Sequence, residues 1–452
     1  MVLITKTTKT TAVLVLLLAY GLYPLLTTTN NGGIADLIRG TDPLLDNIIQ
    51  KMPSLSKGPL PPIFLHNKHL QFIPFLLQNE YHRIQGIPYQ RLELEVTACL
   101  DKSEGRHCLP SPLMNDTISL DIFPPLNKNE TIYTGFSDAS PIIIFMPGLR
   151  CHSMDMPGNS IIRRLYGEGF RSVVINRRGH TPTQPLRAPR WNLFGDVPDL
   201  EQTYWYIRKQ LVAPDTPMFL HGISSGTAVV VSALAEFDHR RDVLGEGTTT
   251  PSFVASISIT PGYDTSKVLL PTRFQFPYNN ILTQSVKDHF IIQNEVVLRE
   301  FNSPAVDAAL QATHLQEFVN AVAPFSGYPN SSSYYDGENP INHLHRITTP
   351  KLVINSNDDP CCHIDNLYEQ SSQRAHQGKT YAQLISESLR GMVVVTHFGS
   401  HCPFLDSGYC GLWPKVVRDP LYGGWMLDSW ADRVSVEYYK ATLEIYSHRR
   451  YY

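Results

Sequence analysis

The sequence predicts an α/β fold: a mostly parallel central sheet with helices on both faces and a helical insertion placed as a lid. Three observations predict it. Short, almost unbroken apolar runs recur at 142–146, 171–176, 218–221, 254–259, 351–355 and 392–396. Strands buried on both faces read as continuous apolar runs, whereas half-exposed strands alternate. Helical patterns lie between the runs, at 160–166, 199–212 and an Ala/Val-rich stretch through Leu234. Such alternation is the pattern of a parallel sheet covered on both sides. Finally, Gly148, Ser224, Asp358 and His401 each fall just after one of these strands. Ligands of open α/β sheets sit beyond the carboxyl ends of the strands, so the chemistry is expected there.

The elements follow in order. Residues 12–26 (AVLVLLLAYGLYPLL) form an apolar run behind Lys6 and Lys9. A full span takes about 20 residues, and Pro24 shortens this one. It fits either a short signal anchor or a cleaved signal peptide, and the anchor is preferred because no small-x-small cleavage pattern follows. The two lysines keep the N-terminus cytosolic by the positive-inside tendency, and the body then faces a lumen or the exterior. Three sequons, at Asn115, Asn129 and Asn330, agree with that placement. Residues 1–30 are thus read as anchor and flanks, 31–60 as a linker, 61–430 as the catalytic domain and 431–452 as a C-terminal helix or tail. The period-two alternation at 91–98 and 117–123 predicts antiparallel edge strands. Cys99 and Cys108 bracket their connection and could bridge it in an oxidising lumen, or remain two thiols. Asp199 is the expected cap of the helix that begins there. Between 260 and 347 lies an insertion rich in Phe, Tyr, Leu and Val, with a helix capped by Ser303 and opened by Pro304. An insertion at this point of a sheet overhangs the site.

The bulk composition removes some classes. With 452 residues and 42% hydrophobic content the chain has a substantial core, and a formal net charge of −3 gives no sign of nucleic-acid binding. Seven cysteines are too few for a disulfide scaffold. His397, His401, Cys402 and Cys410, or Cys361, Cys362 and His363, lack the paired spacing of a zinc site, so neither a metal nor another cofactor is expected. Cys402 and Cys410 are a second possible pair.

The chemistry centres on Gly222-Ile223-Ser224-Ser225-Gly226, between a strand and a helix. Strand, G-x-S-x-G and helix are the context of a nucleophile elbow, with a serine on a strained turn above the sheet. A serine hydroxyl needs a base, and the base an orienting acid. The strand at 351–355 delivers Ser356-Asn357-Asp358-Asp359-Pro360, and the strand ending at Thr396 delivers His397-Phe398-Gly399-Ser400-His401. Asp358, closer to its strand end, is assigned as the acid, and Asp359 is expected to cap the following turn. His401, behind small residues in a turn, is preferred to His397. The order Ser, Asp, His is that of α/β hydrolases. The oxyanion donors are expected to be the backbone N–H groups of Ser225 and Leu149; Arg150 and His152 are read as surface polar residues.

These residues resemble a known family. From about Pro61 to about Leu405 the chain is similar to membrane-anchored α/β-hydrolase-domain esterases related to bacterial YheT-type hydrolases and yeast medium-chain ethyl-ester synthases. The likeness rests on Asn67-Lys68-His69-Leu70-Gln71, Asn176-Arg177-Arg178-Gly179, Gly222-Ile223-Ser224-Ser225-Gly226, Tyr334-Tyr335, Asn355-Ser356-Asn357-Asp358-Asp359-Pro360 and Gly399-Ser400-His401. The resemblance implies a carboxylic-ester hydrolase acting on lipid-like acyl esters, with Ser224, Asp358 and His401 as its triad and a single N-terminal anchor. Pro147 replaces the family's His before Gly148, and Ser400 replaces a Gly beside the base. His401 to Asp406 also matches the H-x-x-x-x-D pattern linked to acyltransferases. Acyl transfer to an alcohol or lysolipid is therefore the first alternative to hydrolysis, and a non-catalytic lipid receptor the second.

Overall fold

The computed structural model describes residues 32–450, apart from 100, 103–109, 126–135, 156, 182, 371–377 and 409–410. Nine strands make one sheet. They are β1 (Ile34–Arg39), β2 (Gln90–Cys99), β3 (Pro110–Phe123), β4 (Ile142–Met146), β5 (Arg171–Asn176), β6 (Met218–Ile223), β7 (Ala255–Ile259), β8 (Lys351–Ser356) and β9 (Gly391–Thr396). The spatial order is β1-β9-β8-β7-β6-β4-β5-β3-β2. The six strands from β9 to β5 in that order run parallel. β1 closes one edge antiparallel, and β3 and β2 close the other. The six apolar runs in the sequence are these six parallel strands, and all their residues are buried.

Side chains alternate across the sheet, so each strand feeds two cores. Ile142, Ile144 and Met146 point to one face, with α4 (Val197–Gln210), α5 (Gly226–Asp242), α11 (Asp365–Tyr368) and α12 (Tyr381–Glu387). Ile143 and Phe145 point to the other, with α1 (Leu44–Gln50), α3 (Asn159–Gly167) and α13 (Trp430–Arg450). Two segments set aside as linker and tail are thus parts of the domain. Residues 31–60 hold β1 and α1, with Leu45, Ile48 and Met52 buried. β1 leaves little trace in the sequence because an edge strand is only half covered, and its alternation is shallow. The tail region is α13, whose Trp430, Tyr438 and Tyr439 are fully buried. Tyr439 donates its hydroxyl to Leu220 O (3.1 Å) and lies 3.0 Å from His221 Nδ1, fixing the strand that leads to Ser224. Burial holds the His221 imidazole neutral, with its pKa lowered to about 3.

The insertion between β7 and β8 carries α6 (Thr265–Val268), α7 (Tyr278–Val286), α8 (Glu295–Gln311), α9 (Leu315–Val322) and α10 (Ser331–Glu338). With Trp191, Leu193 and Phe194 they build a third core beyond the carboxyl ends of the strands. Two expected caps move by a few residues. α8 breaks at Asn302, whose side chain, and not that of Ser303, accepts from Ala305 N (3.1 Å). α4 starts at Val197, and Asp199 forms a buried two-pronged pair with Arg178 at 2.8 and 2.9 Å. A carboxylate needed by a buried guanidinium is worth more there than at an open helix end.

Cys402 is a free thiol 3.4 Å from Thr260 Oγ1. Cys108, Cys410, Asn129 and the apolar run at 12–26 lie outside the described residues. Among the described residues, no helix is long and apolar enough to cross a membrane.

Candidate active site

Ser224 leaves β6 with φ 51°, a conformation that costs a side chain about 1 kcal/mol or more. Its N–H donates to Ile259 O at 2.9 Å, which ties the turn to the neighbouring strand. The flanking glycines are steric requirements. A Cβ on Gly226 would lie 2.2 Å from Met146 O, and one on Gly222 2.8 Å from Thr227 Cα. The chain therefore turns directly from strand into α5, with Ser224 at its start.

His401 comes from the loop after β9. Ser400 and Cys402 both have positive φ (51° and 87°), and a Cβ on Gly399 would sit 2.4 Å from the Phe404 ring. This tight turn brings His401 Nε2 to 2.9 Å from Ser224 Oγ. On the other ring edge, Nδ1 lies 2.9 Å from Asp359 Oδ2 and 3.1 Å from Oδ1. Asp359 is fully buried and also accepts from Cys361 N (2.7 Å) and Cys362 N (2.8 Å).

The assignment of Asp358 as the partner of the histidine is therefore corrected to Asp359. Closeness to the strand end misled, because the chain turns immediately after β8. That turn sends Asp358 towards the histidine loop's backbone and Asp359 towards the ring. Asp358 Oδ1 accepts from Ser400 N (2.7 Å), and Oδ2 from Gln71 Nε2 (2.9 Å). Burial raises the Asp358 pKa to about 6. Asp359 does cap the following turn as expected, and faces the imidazole as well.

Several short motifs find a physical task. Ser400 donates its hydroxyl to Lys68 O at 2.8 Å, compensating a backbone conformation that favours glycine. His69 Nδ1 lies 2.8 Å from the Tyr278 hydroxyl on α7, so the segment at 67–71 joins histidine loop and insertion. Asn176 donates to Asp121 (2.8 Å) and accepts from Ser153 N (2.8 Å). Arg177 donates to the carbonyls of Leu193 (3.0 Å), Pro147 (3.1 Å) and Gly148 (3.0 Å). Burial lowers the Arg177 pKa to about 10, which leaves it charged at neutral pH. Tyr334 donates to Asn192 Oδ1 at 2.9 Å inside the insertion's core.

Gly148 packs against the elbow, its Cβ position 3.3 Å from Ser224 Cβ. Leu149 and Ser225 line the same pocket as Ser224 and His401. Among the described residues their backbone N–H groups have no acceptor. Leu193, Phe194, Val268, Phe274 and Leu282 complete an apolar wall. Arg150 reaches Ser285 on α7, and His152 lies 3.6 Å from Asp155, so neither points at Ser224. His397 stays at the strand end, its N–H on Gly33 O (3.1 Å). Asp406 pairs with Arg433 and accepts from Leu60 N (2.9 Å), which removes it from the histidine. Donor atoms of Asp359, Cys362 and His401 lie within 4.8 Å of one another, although the first and last already bond each other.

Fold and site together define an α/β-hydrolase fold: a nine-stranded sheet with antiparallel edges, a serine elbow after the central β6, and acid and histidine loops after β8 and β9. The chain is similar in sequence to proteins named ABHD2, ABHD3 and ABHD15. The chain is 24% identical to a zebrafish (Danio rerio) protein named monoacylglycerol lipase ABHD2 over 388 residues, covering 81% of this chain and 77% of that one. It is 25% identical to human phospholipase ABHD3 over 335 residues, 72% of this chain and 69% of that one. It is also 25% identical to human protein ABHD15 over 256 residues, 55% and 48% of the two chains. A hyperthermophilic esterase from the archaeon Pyrobaculum calidifontis is similar in structure with a TM-score of 0.41 and 14% identity, over 90% of this chain and 99% of that one. No protein-family model matches the chain.

Proposed function

We propose that this protein is a serine esterase that hydrolyses lipid-like acyl esters through an acyl-enzyme on Ser224. The observation that carries this reading is the unbroken relay from Ser224 Oγ to His401 Nε2 and from His401 Nδ1 to Asp359. In the first half-reaction the Ser224 oxygen attacks the ester carbonyl carbon while His401 Nε2 takes its proton. The Asp359 carboxylate holds the ring with Nδ1 protonated and stabilises the imidazolium. The carbonyl oxygen becomes an oxyanion, and the N–H groups of Leu149 and Ser225 are the donors available to it. His401 then gives its proton to the departing alcohol. In the second half, a water attacks the acyl carbon under the same base and restores Ser224.

The apolar wall of the pocket favours an alkyl chain on the acyl side. The names of the relatives, monoacylglycerol lipase and phospholipase, agree with a lipid ester as substrate. Incubation with a fluorophosphonate is expected to label the wild-type protein and leave Ser224→Ala unlabelled. Equal labelling of both would discard the assignment.

The run at 12–26 is proposed to anchor the chain in a membrane with the hydrolase domain on the lumenal or outer side. Its apolar character and the two preceding lysines motivate this. The full chain is expected to stay with the membrane pellet on alkaline carbonate extraction; release into the supernatant would refute an integral anchor.

A further inference from the structure

We infer that an apolar ridge on one side of the molecule, leading from Leu60 to the pocket, is a peripheral contact with the lipid bilayer. Soluble proteins rarely expose long contiguous apolar patches, and such patches mark interaction surfaces. The inference rests on the lipid-ester reading above, to which it adds how the substrate is reached.

The ridge begins where the described chain begins: Gly32 abuts the Leu60 side chain. Leu60, Ile63 and Phe64 are exposed, and the Phe64 ring meets Trp413 edge-on at 6.3 Å. Trp413 is 72% exposed, with Leu412 beside it. Next comes a small hairpin of β10 (Val416–Arg418) and β11 (Trp425–Leu427). In its register Arg418 opposes Trp425 and Val416 opposes Leu427, so these four share one face, and Trp425 is 70% exposed. The hairpin leans on α2 (Phe72–Gln85) through Leu427 N and Gln78, and Gly424 lies near the Tyr81 hydroxyl. Leu77, Tyr81 and Ile84 stand at helical spacing on α2, all exposed. At the start of α2, Phe72 packs 5.5 Å from Tyr278. Phe276, two residues earlier, is 67% exposed, and Phe274 and Leu282 on either side line the pocket. The ridge therefore ends at the pocket's rim.

Two exposed tryptophans with tyrosine and aliphatic neighbours are the side chains that seat at the headgroup level of a bilayer. A helix with such a stripe lies in the interface plane. A soluble partner could also cover an apolar face, but paired indole rings on a face that starts at Gly32, next in sequence after an apolar N-terminal stretch, and that reaches the apolar acyl pocket select lipid.

The five tryptophans make the test direct, since none lies in residues 1–31 and an inserted anchor gives no signal of its own. Trp191 and Trp430 are buried in the fold, and Trp205 stands on α4, away from the ridge. The full chain is reconstituted into phosphatidylcholine vesicles with and without brominated acyl chains. Brominated lipid is expected to quench the wild type and Trp205→Phe, and to lose most of its effect on the Trp413→Phe/Trp425→Phe double variant. Equal emission of the wild type in both vesicles overturns the proposal. A concentration-dependent blue shift with doubled mass, without quenching, assigns the ridge to a second copy and overturns it too. Hydrolysis of a soluble short-chain nitrophenyl ester is followed on the same samples. Activity without quenching defeats the ridge alone, and quenching without activity defeats only the esterase reading.

Discussion

Replacing Asp359 with Asn is expected to lower kcat by roughly 10³- to 10⁴-fold, whereas Asp358→Asn leaves it within about threefold of wild type. The two carboxylates are neighbours in sequence and differ in what they hold. Asp359 bonds the ring nitrogen opposite the one facing Ser224. An amide there offers the ring an N–H as well as an oxygen, and the wrong tautomer leaves Nε2 protonated and unable to accept the serine proton. Asp358 holds the backbone of Ser400 and the side chain of Gln71. Asn can still accept from Ser400 N. Its own N–H₂ finds an acceptor if Gln71 turns its amide over, since Gln71 Oε1 is buried without a partner among the described residues. The pH dependence separates the pair further. Asp358 has a folded-state pKa raised to about 6 by burial, above the unfolded value of about 3.9. A raised carboxyl pKa supplies stability that is complete below the unfolded value and is lost as pH rises through about 6. Asp358→Asn therefore gains stability relative to wild type between pH 4 and pH 7, and melting curves at those two pH values check it. Steady-state kinetics on a soluble ester check the rest. A collapse of kcat in Asp358→Asn with Asp359→Asn unaffected would return the acid role to Asp358.

This contrast marks where sequence reading stops. The parallel strands were legible because a strand covered on both faces must be apolar throughout, and β4 and β5 were placed to the residue. Ser224 and His401 were legible because each stands in a turn that demands small neighbours, visible as Gly222, Gly226 and Gly399. The choice between Asp358 and Asp359 depended on the direction of a single turn after β8, which distance from the strand end does not encode. β1 is hidden in the sequence, and α13, legible there as a C-terminal helix or tail, does not show that it packs into the domain; the reasons are opposite. β1 is half exposed with a weak alternation. α13 carries tyrosines whose hydroxyls read as polar but whose rings fill the core, Tyr439 with its hydroxyl satisfied by Leu220 O. Arg178 and Asp199 were read apart, one as motif and one as helix cap, because a buried ion pair 21 residues wide leaves no local pattern.

Arg177 is expected to matter for catalysis without touching the substrate. Its guanidinium is fully buried and spans three carbonyls, those of Leu193, Pro147 and Gly148. Pro147 and Gly148 immediately precede Leu149, so the same contacts set the direction of the Leu149 N–H. Pro147 brings no N–H of its own, and the loop is held by its carbonyls instead. A lysine ammonium is a point donor on a flexible stem and cannot reproduce the planar fork that reaches all three oxygens. Loss of one oxyanion donor costs about 10²- to 10³-fold in kcat, and a misaimed donor less. Arg177→Lys should accordingly lower kcat by roughly 10- to 100-fold with little change in KM, because the donor acts on the transition state more than on bound ester. Arg178→Lys is the matched control: its guanidinium is also buried, but it pairs with Asp199 and Met114 O, away from Leu149. Both variants are expected to lose stability, and only Arg177→Lys to lose kcat beyond the fraction unfolded. Parallel losses of kcat in the two variants would reduce Arg177 to a stabilising residue and leave the Leu149 N–H without a positioning partner.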